Sequence, residues 1–122
     1  MTIARWILTA MVALPFVFFG VMKVFGVPKA MYEEAKESYD RFGVSRNAVR
    51  LIGICELIAT IAILLWTQNL EVAQVGYISL MVITTGAMYY HNKYDTSVFK
   101  EGMPAVVQFS LNAILLVLSF IA

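Results

Sequence analysis

A glutamate in the middle of a long apolar run is the side chain whose chemistry stands out in this sequence. Glu56 lies within the run GICELIA at 53–59. A carboxylate at membrane depth costs on the order of 3 kcal/mol, and it faces protein, a partner or water rather than lipid. Two interpretations stay open. Glu56 either forms an internal ion pair or hydrogen bond, or it contacts a ligand, a proton or a partner helix.

Further polar groups are expected in the same half of the molecule as Glu56. Lys23 lies near the end of the first apolar run, His91 closes the third, and Gln108 lies one turn into the fourth. Because consecutive spans alternate in direction, these groups meet at one end of a bundle. Simpler roles also exist, since Lys23 can snorkel to the surface and Gln108 can join helices. The candidate ligand- or partner-binding residues are Lys23, Glu56, Tyr90, His91, Gln108 and Asn112.

Several other classes of site are disfavoured by the composition. Cys55 and His91 are the only cysteine and histidine, so the chain has neither a CxxC pair nor a closed zinc set. A net charge of +1 and the lack of a phosphate-cradling glycine loop argue against nucleic acid as a partner. We expect no catalytic residues and no metal, and these observations favour a non-catalytic protein over an enzyme without deciding between them.

The elements that must position these groups are transmembrane helices. Apolar residues make up 61% of the chain and charged residues 14%, against about 45–50% and 25% in soluble domains. Unbroken apolar runs without a barrel's alternation predict helices. We therefore predict an all-α integral membrane four-helix bundle, a single transmembrane domain over 1–122, in which the first run is a retained helix rather than a signal peptide. The predicted spans are 6–25, 49–66, 70–90 and 104–122.

The first connection contains an amphipathic helix, predicted over 28–42 and closed by Gly43. Such a helix either lies in the membrane interface or folds over the end of the bundle. Its four acidic residues favour the second arrangement, a lid. The predicted apolar face comprises Met31, Tyr32, Ala35, Tyr39 and Phe42.

Small and polar residues at helical spacing predict which face of each span is turned inward, because lipid already accommodates the large apolar side chains. The predicted inward residues are Thr9, Ala13, Phe16, Gly20 and Lys23 in the first span, Gly53, Glu56, Ala59, Thr60 and Ile63 in the second, Gly76, Ser79, Ile83, Gly86, Ala87 and Tyr90 in the third, and Gln108, Asn112, Leu115 and Ser119 in the fourth.

The distribution of Lys and Arg predicts the orientation. Most of these residues lie in or beside the connections 27–48 and 91–103, whereas Arg5 is alone on the opposite side. By the positive-inside rule, both connections are cytoplasmic and both termini are outside. The expected location is a bacterial inner membrane.

Three short motifs together resemble those of the DoxX-like membrane proteins. The run FFGVMK at 18–23 is similar to the F-x-G-x-x-K ending of the family's first helix. The run GICEL at 53–57 is similar to the G-x-x-E-L/I opening of the second helix. Gly86 and Ala87, followed by His91, resemble the G-A-x-x-x-H close of the third. The resemblance covers nearly the whole chain.

The resemblance implies four spanning helices, a long first connection and recurring polar residues at Lys23, Glu56 and His91. The family includes a small subunit associated with thiosulfate:quinone oxidoreduction, and its animal relatives include an endoplasmic-reticulum chaperone for nicotinic acetylcholine receptors. No catalytic mechanism comes with the resemblance.

Three functions follow from these observations. The first is a small, non-catalytic accessory or assembly protein of DoxX-like type that acts in the bilayer through contacts with another membrane protein or a second copy of itself. The alternative is a quinone- or lipid-binding subunit associated with an oxidoreductase, with its site at the Lys23, Glu56 and His91 end. The third is a proton relay in a transporter. The expected walls of a binding site are Phe16, Phe19, Tyr90 and Phe109.

Overall fold

The computed structural model describes residues 2–94 and 103–121, and these residues form five α-helices. Four of the helices are long and apolar enough to cross a membrane, with a mean hydropathy between 1.3 and 2.1 in their spanning windows. The predicted all-α membrane bundle is thereby confirmed. The helices are α1 (Thr2–Phe25), α2 (Lys29–Phe42), α3 (Arg46–Leu64), α4 (Leu70–Tyr94) and α5 (Met103–Ile121).

Two of the helices begin three or more residues before their predicted spans, and α5 begins one residue before its own. α1 starts at Thr2 rather than at 6, and α3 starts at Arg46 rather than at 49. The first turn of a spanning helix lies at the membrane surface, where polar residues are tolerated, so hydropathy alone places the start too late. α2 matches its predicted range within one residue.

Local capping explains where the helices begin and end. The Ser45 hydroxyl accepts the Ala48 backbone N–H at 3.2 Å and caps α3. The Asn69 side chain accepts the Val72 N–H at 3.2 Å and caps α4. Gly43 closes α2 with φ 73°, a left-handed conformation that glycine adopts without a steric penalty.

The four spanning helices pack in the spatial order α1, α3, α4, α5. α1 lies against α3, α3 against α4, and α4 against α5, whereas the contact between α1 and α5 is thinner. α2 lies across one end of the bundle and touches α1 and α4. The buried apolar core comprises Val12, Ala13, Phe16, Ala59, Ile63, Ala73, Tyr77, Leu80 and Leu115.

The predicted inward faces match the structure on three of the four spans. On α4 the most buried face is turned toward Ala73, Tyr77, Leu80 and Thr84, and Ser79 is only half-buried. Ser79 does not need an interior partner, because its hydroxyl donates to the backbone oxygen of its own helix at Val75, 2.8 Å away.

Candidate functional site

A close crossing of α1 and α3 creates the candidate site. A Cβ atom added at Gly53 would lie 2.8 Å from the Lys23 Cβ and 2.9 Å from the Gly20 carbonyl oxygen. A Cβ atom added at Gly20 would lie 2.8 Å from the Leu57 side chain. Each glycine precedes a charged residue by three positions, so each charge lies one helical turn beyond the crossing. The crossing therefore brings Lys23 onto the surface of α3.

Lys23 and Glu56 form an ion pair inside the bundle. The Lys23 Nζ donates to the Glu56 Oε1. The side chain of Glu56 is 1% exposed and that of Lys23 is 17% exposed, so the pair lies below the surface with only the ammonium side partly open. The second carboxylate oxygen, Oε2, is buried and has no hydrogen-bond partner among the described residues.

Arg46 holds the end of α1 in place beside this pair. Its Nη1 donates to the Lys23 carbonyl oxygen, and its Nη2 donates to the Val24 carbonyl oxygen at 3.2 Å. The guanidinium also lies over the Tyr32 ring, 4.7 Å from its centroid. A cation at a helix C-terminus satisfies open carbonyl groups and complements the helix dipole. Arg46 thus ties together the end of α1, the start of α3 and the side of α2.

A cavity of about 410 Å³ lies beside the ion pair, and all five helices contribute to its wall. Most of the lining side chains are apolar or aromatic. The polar ones include Lys23, Glu56 and Gln108 from three different spans, together with Thr84. The lining also includes Phe16, Phe19, Met22, Ala35, Tyr39, Phe42, Val44, Val49, Ile52, Val82, Ile83, Gly86, Ala87, Tyr90, Pro104 and Ala105.

Helix α2 covers the outer side of this cavity, as the lid interpretation predicted. The Phe42 ring stacks on the Tyr90 ring of α4, with centroids 5.5 Å apart and planes inclined by 21°. Tyr39 projects from the last turn of α2 and lines the cavity with Ala35. Burial raises the pKa of Tyr39 to about 12, and the negative charge of Glu56 adds to the increase. The Tyr39 hydroxyl therefore keeps its proton at neutral pH.

Gln108 reaches the cavity from α5 with a fixed amide orientation. Its Nε2 donates to the Met11 carbonyl oxygen at 3.2 Å. A carbonyl oxygen can only accept, so the amide NH₂ must face Met11, and the amide oxygen takes the other position. That oxygen is buried without a partner among the described residues.

The structure brings four of the six candidate residues to one cavity. Lys23, Glu56, Tyr90 and Gln108 line it. Asn112 is fully buried one turn further along α5, outside the described lining, and its Nδ2 donates to the Gln108 carbonyl oxygen at 2.8 Å. The position of His91 is within α4, but its side chain lies outside the described residues.

Three of the four expected wall residues are found in the lining. Phe16, Phe19 and Tyr90 line the cavity, whereas Phe109 lies outside the described lining. Adjacent residues on a helix are rotated by about 100° from each other. Because Gln108 lines the cavity, the neighbouring Phe109 is turned away from it.

Sequence reasoning missed the roles of Arg46 and Thr84. Arg46 was counted only as a charge in the first connection, yet its side chain joins three helices. Thr84 lines the cavity from α4. A basic residue directly after a helix-capping serine is a signal that could have drawn attention to Arg46.

The opposite end of the bundle is built differently. The Trp6 and Trp66 rings lie 5.4 Å apart, so these two residues share one end of the bundle. Arg5 Nη2 donates to the Leu118 carbonyl oxygen at 3.0 Å and thereby connects α1 with α5. An apolar groove of about 310 Å³ lies on the surface of α4 and α5, and Val82 lines both this groove and the cavity beside the ion pair. Among the described residues, no three His, Cys, Asp or Glu side chains cluster as metal ligands.

Comparison with known protein families identifies the family of this chain. Residues 7–122 match the DoxX-like family. No curated protein and no solved structure matched the chain significantly.

Proposed function

This chain belongs to the DoxX-like family, and we propose that it is a small membrane subunit that binds an amphipathic molecule of the quinone or lipid class. The site is the cavity between the spanning helices and α2. The chain is an integral membrane protein, with four apolar helices of spanning length. The surrounding bilayer therefore contains amphipathic molecules of the class that we propose for the cavity.

One observation carries the proposal: an apolar cavity of about 410 Å³ has an ion pair in its wall. Cavities that bind small molecules are typically about 300–1,000 Å³ in volume, with mostly apolar walls and a few polar groups that fix orientation. Phe16, Phe19 and Tyr90 provide aromatic wall. The tail or ring of an amphipath fits such walls, and its polar head can approach Glu56 and Gln108.

The test is native mass spectrometry of protein released from mild detergent. We expect the wild type to retain a small molecule, and Glu56→Gln to lose most of it. Gly86→Leu provides a second variant, because a Cβ added at Gly86 meets nothing within 4 Å and a leucine there would fill cavity space. Val75→Leu is the matched control on the same helix, since Val75 is 63% exposed on the outer surface.

The outcomes separate the alternatives. Loss of the small molecule in Glu56→Gln and Gly86→Leu, but not in Val75→Leu, would support the cavity as the site. Equal retention in all four proteins would place the ligand elsewhere and contradict the proposal.

The accessory or assembly role stays a second prediction, supported by the small size of the chain and its family membership. The same spectra test it. A bound protein or a homo-oligomer that disappears in Glu56→Gln, with no small ligand in the wild type, would favour this role. Only monomers, without any partner in cross-linking of native membranes, would count against it.

For the location, we propose a bacterial inner membrane with the α2 end of the bundle in the cytoplasm. The basic residues around the first and third connections support this orientation. Arg5, the basic residue near the other end, is partly buried and donates a hydrogen bond to α5.

A further inference from the structure

Resting on the ligand-binding function proposed above, we propose that the cavity selects an uncharged amphipath whose head group donates a hydrogen bond, as a hydroxyl does. This narrows the quinone or lipid class proposed above: molecules whose head only accepts hydrogen bonds, an oxidised quinone among them, and molecules with an anionic phosphate head are discriminated against, whereas a reduced quinol or another hydroxyl-bearing amphipath is favoured. The selecting atoms are Glu56 Oε2 and Gln108 Oε1.

Glu56 supplies the first of these acceptors. Its Oε1 is occupied by the Lys23 ammonium, and its Oε2 is buried without a partner among the described residues. A carboxylate in an ion pair has no proton to give, so Oε2 can only accept. A buried acceptor that has lost water is stabilised by any donor that reaches it.

Gln108 supplies the second acceptor from the facing side of the bundle. The Met11 carbonyl oxygen fixes its NH₂ group and leaves Oε1 as the unpaired atom. Glu56 and Gln108 belong to α3 and α5, which flank the same cavity. Among the described lining residues, two buried side-chain atoms have no hydrogen-bond partner, and both of them are therefore acceptors.

The other polar groups of the lining do not remove this preference for a hydrogen-bond donor on the ligand. The Thr84 hydroxyl donates to the Leu80 carbonyl oxygen at 2.9 Å, within its own helix. Tyr39 keeps its proton, and a tyrosine hydroxyl can donate to a ligand hydroxyl or accept from it. A hydroxyl head can donate to the two acceptors, and it can accept from Tyr39 or from a further N–H of Lys23, which also lines the cavity.

The charges argue against a phosphate head. The nearest cation to Glu56, Lys23, is already paired with it, and together they carry no net charge. Arg46 is engaged with the Lys23 and Val24 carbonyl oxygens. Lys23 is the cation among the described lining residues, so an anion in the cavity would lie beside the Glu56 carboxylate without a further cation from that lining, and burying an uncompensated charge is unfavourable.

The experiment compares three probes that share one ring system. 2-Naphthol carries a hydroxyl donor, 2-methoxynaphthalene replaces that donor with a methyl ether, and 2-naphthyl phosphate carries an anion. Binding to the full-length protein in lipid nanodiscs is measured by equilibrium dialysis, with empty nanodiscs of the same lipid subtracted. We expect 2-naphthol to bind about tenfold more tightly than its methyl ether, as for a hydrogen bond to a charged acceptor. The phosphate should not exceed the empty nanodiscs.

Two variants assign the preference to the named atoms. Gln108→Leu removes one acceptor at similar size, and Glu56→Gln replaces an acceptor-only group with one that also donates. We expect both to reduce the preference for 2-naphthol to threefold or less, a reduction of about threefold or more from the wild-type value. Gln68→Leu, an exposed position in the connection between α3 and α4, is the matched control and should keep the full preference. Thermal unfolding of each variant checks that it is folded.

Each result decides a different point. Equal or tighter binding of the methyl ether or the phosphate by the wild type would overturn the donor preference and leave the binding function standing. A preference that survives in both variants would overturn the assignment to Glu56 and Gln108. Failure of all three probes to exceed the empty nanodiscs would instead contradict the proposed function itself.

Discussion

At the scale of single residues, the ion pair between Lys23 and Glu56 has two consequences. It makes a buried carboxylate tolerable, and it leaves one oxygen of that carboxylate without a partner among the described residues. Buried pairs often contribute little net stability, because desolvation offsets the attraction between the charges. Removal of one partner is costly, because the other charge then stays buried and uncompensated.

We therefore predict that removing Lys23 alone destabilises the protein more than removing both charges of the pair. Lys23→Met should lower the free energy of unfolding by about 3 kcal/mol, the low end of the range for buried pairs because Lys23 is partly exposed. The double variant Lys23→Met with Glu56→Gln should recover most of this loss, since no charge is left buried. Denaturant unfolding in detergent micelles measures both. A Lys23→Met protein as stable as the wild type would show that Glu56 does not depend on this pair.

The glycine crossing leads to a second prediction at this scale. Gly53→Ala should destabilise the bundle by about 1–3 kcal/mol, because the added Cβ would lie 2.9 Å from the backbone oxygen of Gly20, which cannot move alone. Gly86→Ala is the matched control, since its Cβ meets nothing within 4 Å and alanine favours the helix. Thermal unfolding compares the two. Equal melting temperatures for both variants would contradict the close crossing.

The sequence was most informative about individual residues where burial of a polar group is unusual. Glu56 stood out because it interrupts an apolar run, and an internal ion pair, which the structure forms with Lys23, was one of the two interpretations from the sequence. The contacts of Arg46 could not be predicted in this way, because its guanidinium reaches carbonyl groups 22 and 23 residues away. Those contacts depend on where α1 ends relative to α3, which composition does not determine.

At the scale of helices, α2 differs from the spanning elements. It has an apolar face on the bundle and charged residues on the rest, so it is held by a few aromatic contacts rather than by deep burial. Phe42 stacks on Tyr90, and Tyr32 lies under Arg46. Gly26 at φ 71° and Gly43 at φ 73° flank the helix. Local opening of an element with few buried contacts is easier than unfolding of the bundle.

A third prediction concerns the cover that α2 forms. In a Cys55→Ser background, Ala35→Cys should react slowly with a water-soluble maleimide, because position 35 is half-buried and lines the cavity. Adding Phe42→Ala should accelerate that reaction about two- to tenfold, because a stacked aromatic pair contributes about 0.5–1.5 kcal/mol. Lys36→Cys, exposed on the next position, is the control and should react equally fast with or without Phe42. An unchanged rate at position 35 would show that the stack does not hold α2 closed.

Helix positions were predictable from the sequence to within a few residues, whereas the rotation of α4 was not. Hydropathy marks a span clearly because a bilayer admits so few polar groups. The inward face of α4 was harder to assign, since small residues occur around much of its circumference and Ser79 bonds to its own helix. The burial of Tyr77, at 2% exposure, depends on neighbouring helices that leave room for a large ring.

At the scale of the whole molecule, the two ends of the bundle have opposite character. One end carries the ion pair, the cavity and the α2 cover. The other carries the Trp6 and Trp66 pair and the Arg5 bond to α5. A ligand in the cavity would thus lie nearer one membrane surface than the other. The orientation of the chain decides which compartment faces α2.

The proposed orientation is tested with cysteines at the two ends. In a Cys55→Ser background, Asn47→Cys marks the α2 end and Gln68→Cys marks the other, and both native positions are exposed. With the basic connections in the cytoplasm, a membrane-impermeant maleimide should label position 68 in intact cells and position 47 only in inverted vesicles. The positive-inside rule counts charges in short loops near the spans, and the basic residues of the first connection alternate with acidic ones that contribute little. The reverse labelling pattern would place the cavity and its cover on the outer side, where a ligand would enter from the outer leaflet.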